Sequence, residues 1–129
     1  MMDIPAEAAA AIGRTVKADD MVAPAAVAAM AATLGRSGPA LKEGEALPAL
    51  WHGMFCTAKL PRERLGADGL ARDEPLLPAI PGYPAKLFAG ARFRFERPIA
   101  IGARIRKEST ITGFEAKAEA AVKKLGAKR

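Results

Sequence analysis

The sequence predicts an α+β domain in which a central helix packs against neighbouring strands. Apolar residues at i, i+3, i+4 and i+7 from Val27 to Leu34 indicate a helix with a buried face. Phe93 and Phe95 alternate with charged residues over 91–97, as in a half-buried strand. The length of 129 residues fits a single domain with one core.

The first 35 residues are predicted to form a short helix, an extended piece and a longer helix, over 6–12, 14–17 and 25–34. Asp3 can cap the first helix, Pro5 lies in its first turn, and Gly13 follows its end. Pro24 opens the second helix and Gly35 ends it. Because alanine supplies much of the apolar surface of this second helix, a sheet can approach it closely.

The middle of the chain is predicted to be irregular apart from an apolar patch at 47–56, which holds the only Trp, His and Cys. Asp68 and Gly69 favour a turn over 65–69, since both tolerate positive φ. Four prolines recur with the period of a polyproline II helix, at Pro75, Pro78, Pro81 and Pro84. Leucine and isoleucine between them favour a rigid loop over the domain rather than an exposed ligand for an SH3-like domain.

The last third of the chain is predicted to contain two strands and a helix. The strand over 91–97 ends at Pro98, and a second strand, rich in β-branched residues, runs over 103–112. Residues 112–115 fit a capping box for an amphipathic helix that Gly126 can end. The expected division is therefore a domain over 1–113 and a basic helical tail over 114–129.

The composition excludes some classes of protein. Half of the residues are hydrophobic and the mean hydropathy is +0.04, which excludes a disordered chain. The longest apolar stretch, 21–34, is mostly alanine and too short to cross a bilayer. The net charge is +6, and residues 114–129 carry half of it. Because half of the charge lies in this tail, we expect neither a membrane nor a nucleic acid as partner. A nucleic acid is further disfavoured because Phe93 and Phe95 are predicted to face away from the neighbouring cations.

Residues that commonly carry catalysis or hold metals are sparse. One His and one Cys are too few for a metal site, so none is predicted. His52 and Cys56 could pair as base and nucleophile on a helix, but their apolar surroundings favour simple packing. Glycine-rich phosphate-binding motifs and a G-x-S-x-G elbow are absent. The single cysteine forms no intrachain disulfide, and the expected location is cytoplasmic.

Charged side chains on the two predicted strands form a cationic stripe, namely Arg92, Arg94, Arg97, Arg104, Arg106 and Lys107. The stripe could hold ligand phosphates or could be a solvated face of a sheet. Two pairs of adjacent carboxylates, Asp19 with Asp20 and Asp73 with Glu74, are predicted to face solvent rather than to act as acid and base.

Four motifs occur in the order and spacing of a known family. They are L-P-A-L-W-H from Leu47, L-G-A-D-G from Leu65, L-P at Leu77, and L-F-A-G-A-R-F-R-F-E-R-P-I-A-I-G from Leu87. Together they cover about residues 12–112 and resemble the N-terminal half of MaoC-like acyl-CoA dehydratases. The chain looks most like the branch of methylfumaryl-CoA (mesaconyl-CoA) hydratases and type 2 hydroxyacyl-thioester dehydratases.

The resemblance implies a hotdog fold, in which a curved antiparallel sheet wraps a long helix, here residues 25–34. It implies hydration or dehydration of an enoyl-CoA thioester without a cofactor, the thioester carbonyl being polarised by hydrogen-bond donors. In the family, an Asp and a His act on the water molecule. They lie in the second hotdog half or in a partner subunit. No match to that motif occurs here, so no catalytic residue is predicted. The substrate-binding residues implied are Trp51, Phe55, Tyr83 and Phe88 as cleft walls, and Arg92, Arg94 and Arg104 as phosphate contacts.

The predicted tail departs from the family, in which further strands complete the sheet after the position of Thr112. The resemblance therefore implies a hotdog sheet that is incomplete at its C-terminal end. The chain would be a truncated copy, or a non-catalytic half in a homo- or hetero-oligomer with a catalytic hotdog half, contributing to the acyl-CoA cleft of a hydratase or dehydratase. The alternative is a non-enzymatic basic binding or assembly module whose terminal helix docks a partner chain.

Overall fold

The computed structural model describes residues 3–117, in which helices and strands are short and loops predominate. In chain order its elements are α1 (Ala6–Ala11), β1 (Thr15–Met21), α2 (Pro24–Thr33), the 3₁₀ helices η1 (Trp51–Met54) and η2 (Arg62–Arg64), and β2 (Arg104–Thr110). The long stretch between η2 and β2 is rich in proline and glycine, which interrupt regular backbone hydrogen bonding.

The strands β1 and β2 form a two-stranded antiparallel sheet. Beyond one end of the strands, the Ile111 N–H donates to the Arg14 carbonyl at 3.0 Å. Beyond the other end, the Gly102 N–H donates to the Val22 carbonyl at 2.7 Å. The strand predicted over 103–112 is therefore confirmed, and the extended piece predicted near the N-terminus is the beginning of β1.

The described residues fall into two compact units. The first contains residues 3–16, Arg64–Phe88 and 109–117, and the second contains Lys17–Glu63 and Ala89–Glu108. The buried apolar residues of the first unit are Ala8, Ala11 and Ile111. The buried core of the second unit is larger and consists of Val22, Val27, Leu47, Phe55 and Ile101.

The core of the second unit joins α2, the residue that follows β1 (Val22) and the segments around Leu47, Phe55 and Ile101. Ile101, Val22 and Val27 are each no more than 1% exposed, and Trp51 and Ile105 pack against this cluster from partly buried positions. Burial of this apolar surface is the main stabilising contribution available to so small a unit. The structure is therefore an α+β arrangement with a small antiparallel sheet.

Helix α2 has the predicted position but not the predicted degree of burial. Val27 is its only buried residue, Met30 and Ala31 are half-buried, and Leu34 at its end is 60% exposed. The prediction of a buried central helix is thus wrong in extent. The only strands among the described residues are β1 and β2, so no larger sheet covers the helix, and its alanine-rich surface offers little apolar area to bury.

Residues 91–97 do not form the predicted strand. No backbone hydrogen bond joins residues 84–98 to any other part of the chain that the structure describes, and the chain bends at Glu96 and Arg97. A strand requires a paired neighbour, and the strand paired with β2 is β1 instead. Alternation nevertheless places the rings of Phe93 and Phe95 beside each other.

The cationic stripe predicted across two neighbouring strands consequently does not form. Its cations at 92–97 lie outside the sheet, and β1 brings acidic and basic side chains opposite β2. The Lys17 ammonium lies 3.4 Å from the Glu108 carboxylate, and both side chains are more than half exposed. This face of the sheet is a solvated surface on which each exposed ion pair contributes little.

The turn predicted at 65–69 is confirmed. Gly69 has φ +78°, and the Leu70 N–H donates to Asp68 Oδ1 at 3.0 Å. Leu65 and Ala71 form an isolated antiparallel bridge on either side of the turn. Local residue chemistry alone determines this structure, because the side chain of aspartate closes the turn and glycine supplies the left-handed conformation.

The segment 75–84 is irregular, as predicted, but it is not a continuous polyproline II helix. A turn closes where the Tyr83 N–H donates to the Ile80 carbonyl at 3.0 Å, and Gly82 between them has φ +83°. A left-handed residue cannot belong to a polyproline II helix, so the period of three is broken there. Leu77, which was expected to be buried, is 40% exposed.

The two ends of the chain differ in detail from the prediction. Helix α1 ends at Ala11, Pro5 is its N-cap residue, and no side chain caps it, so the predicted role of Asp3 is wrong. At the other end residues 114–117 have no helical structure. The rest of the predicted terminal helix lies outside the described residues.

Candidate functional site

An open cavity of about 820 Å³ lies within the second unit, between the segments 46–52 and 93–99. Nine of its thirteen lining residues are apolar, and the others are His52, Arg94, Glu96 and Arg97. Small-molecule sites typically have volumes of roughly 300 to 1,000 Å³ and mostly apolar walls with a few polar groups. The cavity has the size and composition of such a site.

A short antiparallel contact holds the two walls of the cavity together at one end. The Leu47 N–H donates to the Ile99 carbonyl at 2.7 Å, and the Ile101 N–H donates to the Glu45 carbonyl at 2.8 Å. Beyond Leu47 and Ile99 no backbone hydrogen bonds join the described residues of the two walls. The walls therefore separate there and leave the cavity between them.

An aromatic cluster formed by His52, Phe93 and Phe95 lines the cavity. The two phenylalanine rings are nearly parallel, with centroids 6.3 Å apart and planes at 12°. The His52 imidazole meets them edge-on, at centroid distances of 5.9 and 6.0 Å. Phe93 and Phe95 remain 54% and 55% exposed, so their ring surfaces are available to a ligand.

The charged groups of the cavity lie on the 93–99 wall. Arg94 Nε is 3.5 Å from Glu96 Oε1, and the two side chains are 87% and 75% exposed. Such an exposed pair is weak and exchanges readily for another anion. Arg97 makes no ion pair or hydrogen bond with any other residue that the structure describes. Both guanidinium groups can therefore contact a phosphate or carboxylate at the cavity.

A smaller cavity of about 500 Å³ in the same unit is lined by Asp19, Asp20 and residues 104–106. Asp19 Oδ1 accepts a hydrogen bond from Arg106 Nε at 2.7 Å. Asp20 accepts from the backbone N–H of Cys56 and of Met21, each at 2.8 Å. Each carboxylate is already engaged by its own donors, so the two do not form an acid and base pair.

These hydrogen bonds lower the pKa of both carboxyls. The guanidinium of Arg106 donates to Asp19 and holds the pKa of that carboxyl below its usual value of 3.8. The N–H groups of Cys56 and Met21 do the same for the pKa of Asp20. Hydrogen bonds to a carboxylate favour its charged form, because protonation removes an acceptor.

The lowered pKa of Asp20 predicts a pH-dependent contribution to stability. A depressed carboxyl pKa stabilises the fold above the unfolded value of 3.8, and this stabilisation is lost as the pH falls through the folded pKa. Asp20→Asn should therefore lower the urea midpoint at pH 7 and approach the wild type as the pH falls below the folded pKa of Asp20. Urea unfolding across this pH range tests the expectation, with Glu7→Gln as a control. A constant difference between Asp20→Asn and wild type at every pH would contradict it.

Four of the residues that the resemblance implied for substrate binding lie in the second unit. Their environments differ. Phe55 is 6% exposed and belongs to the core, and Trp51 packs against that core from a partly buried position. Arg94 lines the larger cavity, and Arg104 lines the smaller one beside the two aspartates. Of these four, only Arg94 contributes to the larger cavity.

The other three implied residues are exposed. Arg92 lies in the irregular segment that precedes Phe93 and lines neither cavity. Tyr83 and Phe88 belong to the first unit and are 61% and 85% exposed. The cavity is instead formed by His52, Phe93 and Phe95, which sequence reasoning assigned to packing. The alternation at 93–95 was a signal that these two rings share one side of the chain.

Like the pair of Asp19 and Asp20, the other two catalytic pairings considered from the sequence are engaged in separate contacts. The Sγ of Cys56 contacts the Ala18 carbonyl at 3.6 Å, whereas His52 lies against the phenylalanine rings. Each of these two side chains therefore contacts a different group, and no hydrogen bond joins them among the described residues. Asp73 lies 3.6 Å from an Arg64 guanidinium nitrogen, and Glu74 accepts N–H groups of its own loop. Neither carboxylate is poised for acid and base catalysis.

Metal-binding clusters and membrane-spanning helices are both absent from residues 3–117. These residues contain no cluster of three His, Cys, Asp or Glu side chains that could hold a metal ion. No helix within the same range is long and apolar enough to cross a membrane.

Comparison with known proteins agrees with the resemblance seen in the motifs. The chain is 38% identical, over 106 residues, to a protein named mesaconyl-C(4)-CoA hydratase from Chloroflexus aurantiacus. The match covers 82% of this chain, and the chain spans only 38% of that protein's length. No protein-family model matches the chain. Over the matched residues this similarity supports a relationship to the MaoC-like hydratases at the level of the family.

Proposed function

We propose that this chain provides part of the acyl-CoA binding cleft of an enoyl-CoA hydratase or 3-hydroxyacyl-CoA dehydratase. The cavity between 46–52 and 93–99 receives the acyl thioester. A match of 106 residues within a chain of 129 necessarily includes residues 46–99, so the whole cavity lies within the similarity to a CoA hydratase. This coincidence of the cavity with the matched region is the observation that carries the proposal.

The chemistry of the cavity suits the two halves of an acyl-CoA. Its apolar wall, with Leu50, Phe93 and Phe95 exposed, offers contact area for an acyl chain. Arg94 and Arg97 offer guanidinium groups to the phosphates of CoA, which is a binding mode that arginine favours. CoA is here part of the substrate, and the proposal requires no cofactor.

In the reaction, water adds across the double bond conjugated to the thioester carbonyl. The oxygen of water bonds to the β-carbon, a proton bonds to the α-carbon, and the π bond is consumed. Negative charge develops on the thioester oxygen and is stabilised by hydrogen-bond donors. We assign binding of the thioester to this chain. The Asp and His that move the protons we assign to a second hotdog half or a partner subunit, with which this chain completes a hotdog sheet.

The proposal is tested with the purified chain and crotonyl-CoA. Crotonyl-CoA should raise the midpoint of thermal unfolding in a concentration-dependent manner, and more than free CoA does, because a ligand that binds only the folded state stabilises it. The chain alone should not hydrate crotonyl-CoA.

Two results would contradict the proposal. Hydration of crotonyl-CoA by this chain alone would show that it contains its own catalytic pair. Failure of every CoA compound to raise the midpoint would exclude an acyl-CoA cleft and favour a non-enzymatic basic binding module.

A further inference from the structure

We propose that His52 donates a hydrogen bond to the thioester carbonyl oxygen of the acyl group in the cavity. This inference rests on the proposed function, because it assigns a role within the same site. It goes beyond that function by naming a side chain of this chain that contacts the reacting carbonyl. His52 thereby polarises the thioester, although the proton transfers are assigned elsewhere.

The imidazole packs edge-on against two aromatic rings. His52 lies in η1, and its ring plane makes angles of 66° and 70° with the rings of Phe93 and Phe95. Two nearly parallel rings that contact the same imidazole limit its rotation. A donor held in this way stabilises charge without the cost of being ordered during the reaction.

His52 has an unused hydrogen-bonding capacity. Neither ring nitrogen makes a hydrogen bond or ion pair with another residue that the structure describes, and the side chain lines the cavity from a half-buried position. A neutral imidazole always carries one N–H donor, and an imidazolium carries two. The donor is therefore present in either protonation state.

The other donor side chains of the cavity are less suited to this position. Arg94 is 87% exposed and paired with Glu96, and Arg97 is also exposed. Their long side chains suit the solvated phosphates of CoA better than a carbonyl beside the apolar wall. Among the described polar side chains that line this cavity, His52 is the one that contacts aromatic rings.

The backbone next to His52 supports a specialised role for η1. Leu50, the N-cap residue of η1, has φ +72°, a left-handed conformation that is rare for leucine. Its side chain is 55% exposed and lines the cavity. Strained residues of this kind cluster at functional sites, where they hold a neighbouring group in place. Here the strain occurs two residues before His52, at the point where the chain enters η1.

The test measures the carbonyl itself. Infrared difference spectra of crotonyl-CoA labelled with ¹³C at the carbonyl should show its stretching band at lower frequency when bound to the wild type. His52→Phe keeps an aromatic ring against Phe93 and Phe95 but has no donor, so the shift should disappear. His52→Gln keeps a donor and should retain part of the shift.

Affinity gives a second readout with a matched ligand. S-butyl-CoA is a thioether without a carbonyl, so His52→Phe should weaken its binding less than the binding of butyryl-CoA. The same variant should weaken butyryl-CoA binding about 2- to 10-fold, as expected for one hydrogen bond. If His52 had a purely structural role, His52→Phe would weaken the binding of both ligands to the same extent.

The outcomes separate this inference from the proposed function. If the wild type binds neither ligand, the acyl-CoA cleft itself is wrong. If the wild type binds both ligands and His52→Phe keeps the full infrared shift, the cleft stands and the assignment of His52 is overturned. If His52→Phe weakens the binding of both ligands equally and the infrared shift is retained, His52 serves only to pack the aromatic cluster.

Discussion

Replacing Phe55 by alanine is expected to lower the free energy of unfolding by about 3 to 5 kcal/mol. The side chain is 6% exposed and belongs to the core cluster with Val22, Val27 and Ile101. Truncation removes buried apolar surface and leaves a cavity that a well-packed neighbourhood does not fill. Since small domains are stable by only about 5 to 15 kcal/mol, the change is a large fraction of the total. Urea unfolding at pH 7 measures it.

Two further variants keep this prediction testable if Phe55→Ala does not fold. Phe55→Leu retains most of the volume and should lose less than about 1.5 kcal/mol. Leu34→Ala removes a side chain that is 60% exposed and should change stability by about 0.5 kcal/mol or less. Wild-type stability in Phe55→Leu combined with loss of acyl-CoA affinity would contradict the core assignment and place Phe55 in the cleft wall.

Removing both phenylalanine rings from the cavity is expected to raise the Kd for crotonyl-CoA about 10- to 100-fold. The variant is Phe93→Ala combined with Phe95→Ala. The two rings are 54% and 55% exposed, so they contribute more to the cavity surface than to the core. Calorimetric titration measures the affinity, and urea unfolding shows that the double variant remains folded.

The matched control is Leu34→Ala, which removes exposed apolar surface at the end of α2 rather than in the cavity. Its affinity for crotonyl-CoA should equal that of the wild type. Unchanged affinity in the double phenylalanine variant would show that the acyl chain lies elsewhere. A parallel loss of affinity in Leu34→Ala would show that the effect is not specific to the cavity.

The parts of the fold that were predicted correctly depend on local sequence. Pro24 and Gly35 bracket α2, and the turn at 65–69 is closed by the side chain of Asp68 and the left-handed Gly69. In each case the residues that determine the structure lie within one or two turns of chain. Capping, proline and positive φ act over that distance, so the sequence is sufficient.

The parts that were not predicted depend on contacts between distant residues. The alternation at 91–97 is correct as a pattern, but a strand forms only where a paired strand is available, and β2 pairs with β1. The degree of burial of α2 likewise depends on how many strands cover it. Periodicity indicates which face of an element is apolar, and it does not indicate whether a neighbour is present.

The cavity could not be predicted for the same reason. It exists because the Leu47 N–H reaches the Ile99 carbonyl, and these residues are separated by more than 50 positions in the chain. That contact places His52 against Phe93 and Phe95. The motifs identified both segments as typical of the family, but the resemblance emphasised other side chains, of which Arg94 lines the cavity.

The position of the acyl chain is measured most directly by intermolecular nuclear Overhauser effects in the complex with crotonyl-CoA. If the cavity is the acyl site, the crotonyl methyl protons will show effects to the ring protons of Phe93 and Phe95. Effects to the rings of Tyr83 or Phe88, with none to Phe93 or Phe95, would contradict the assignment of the cavity as the thioester site.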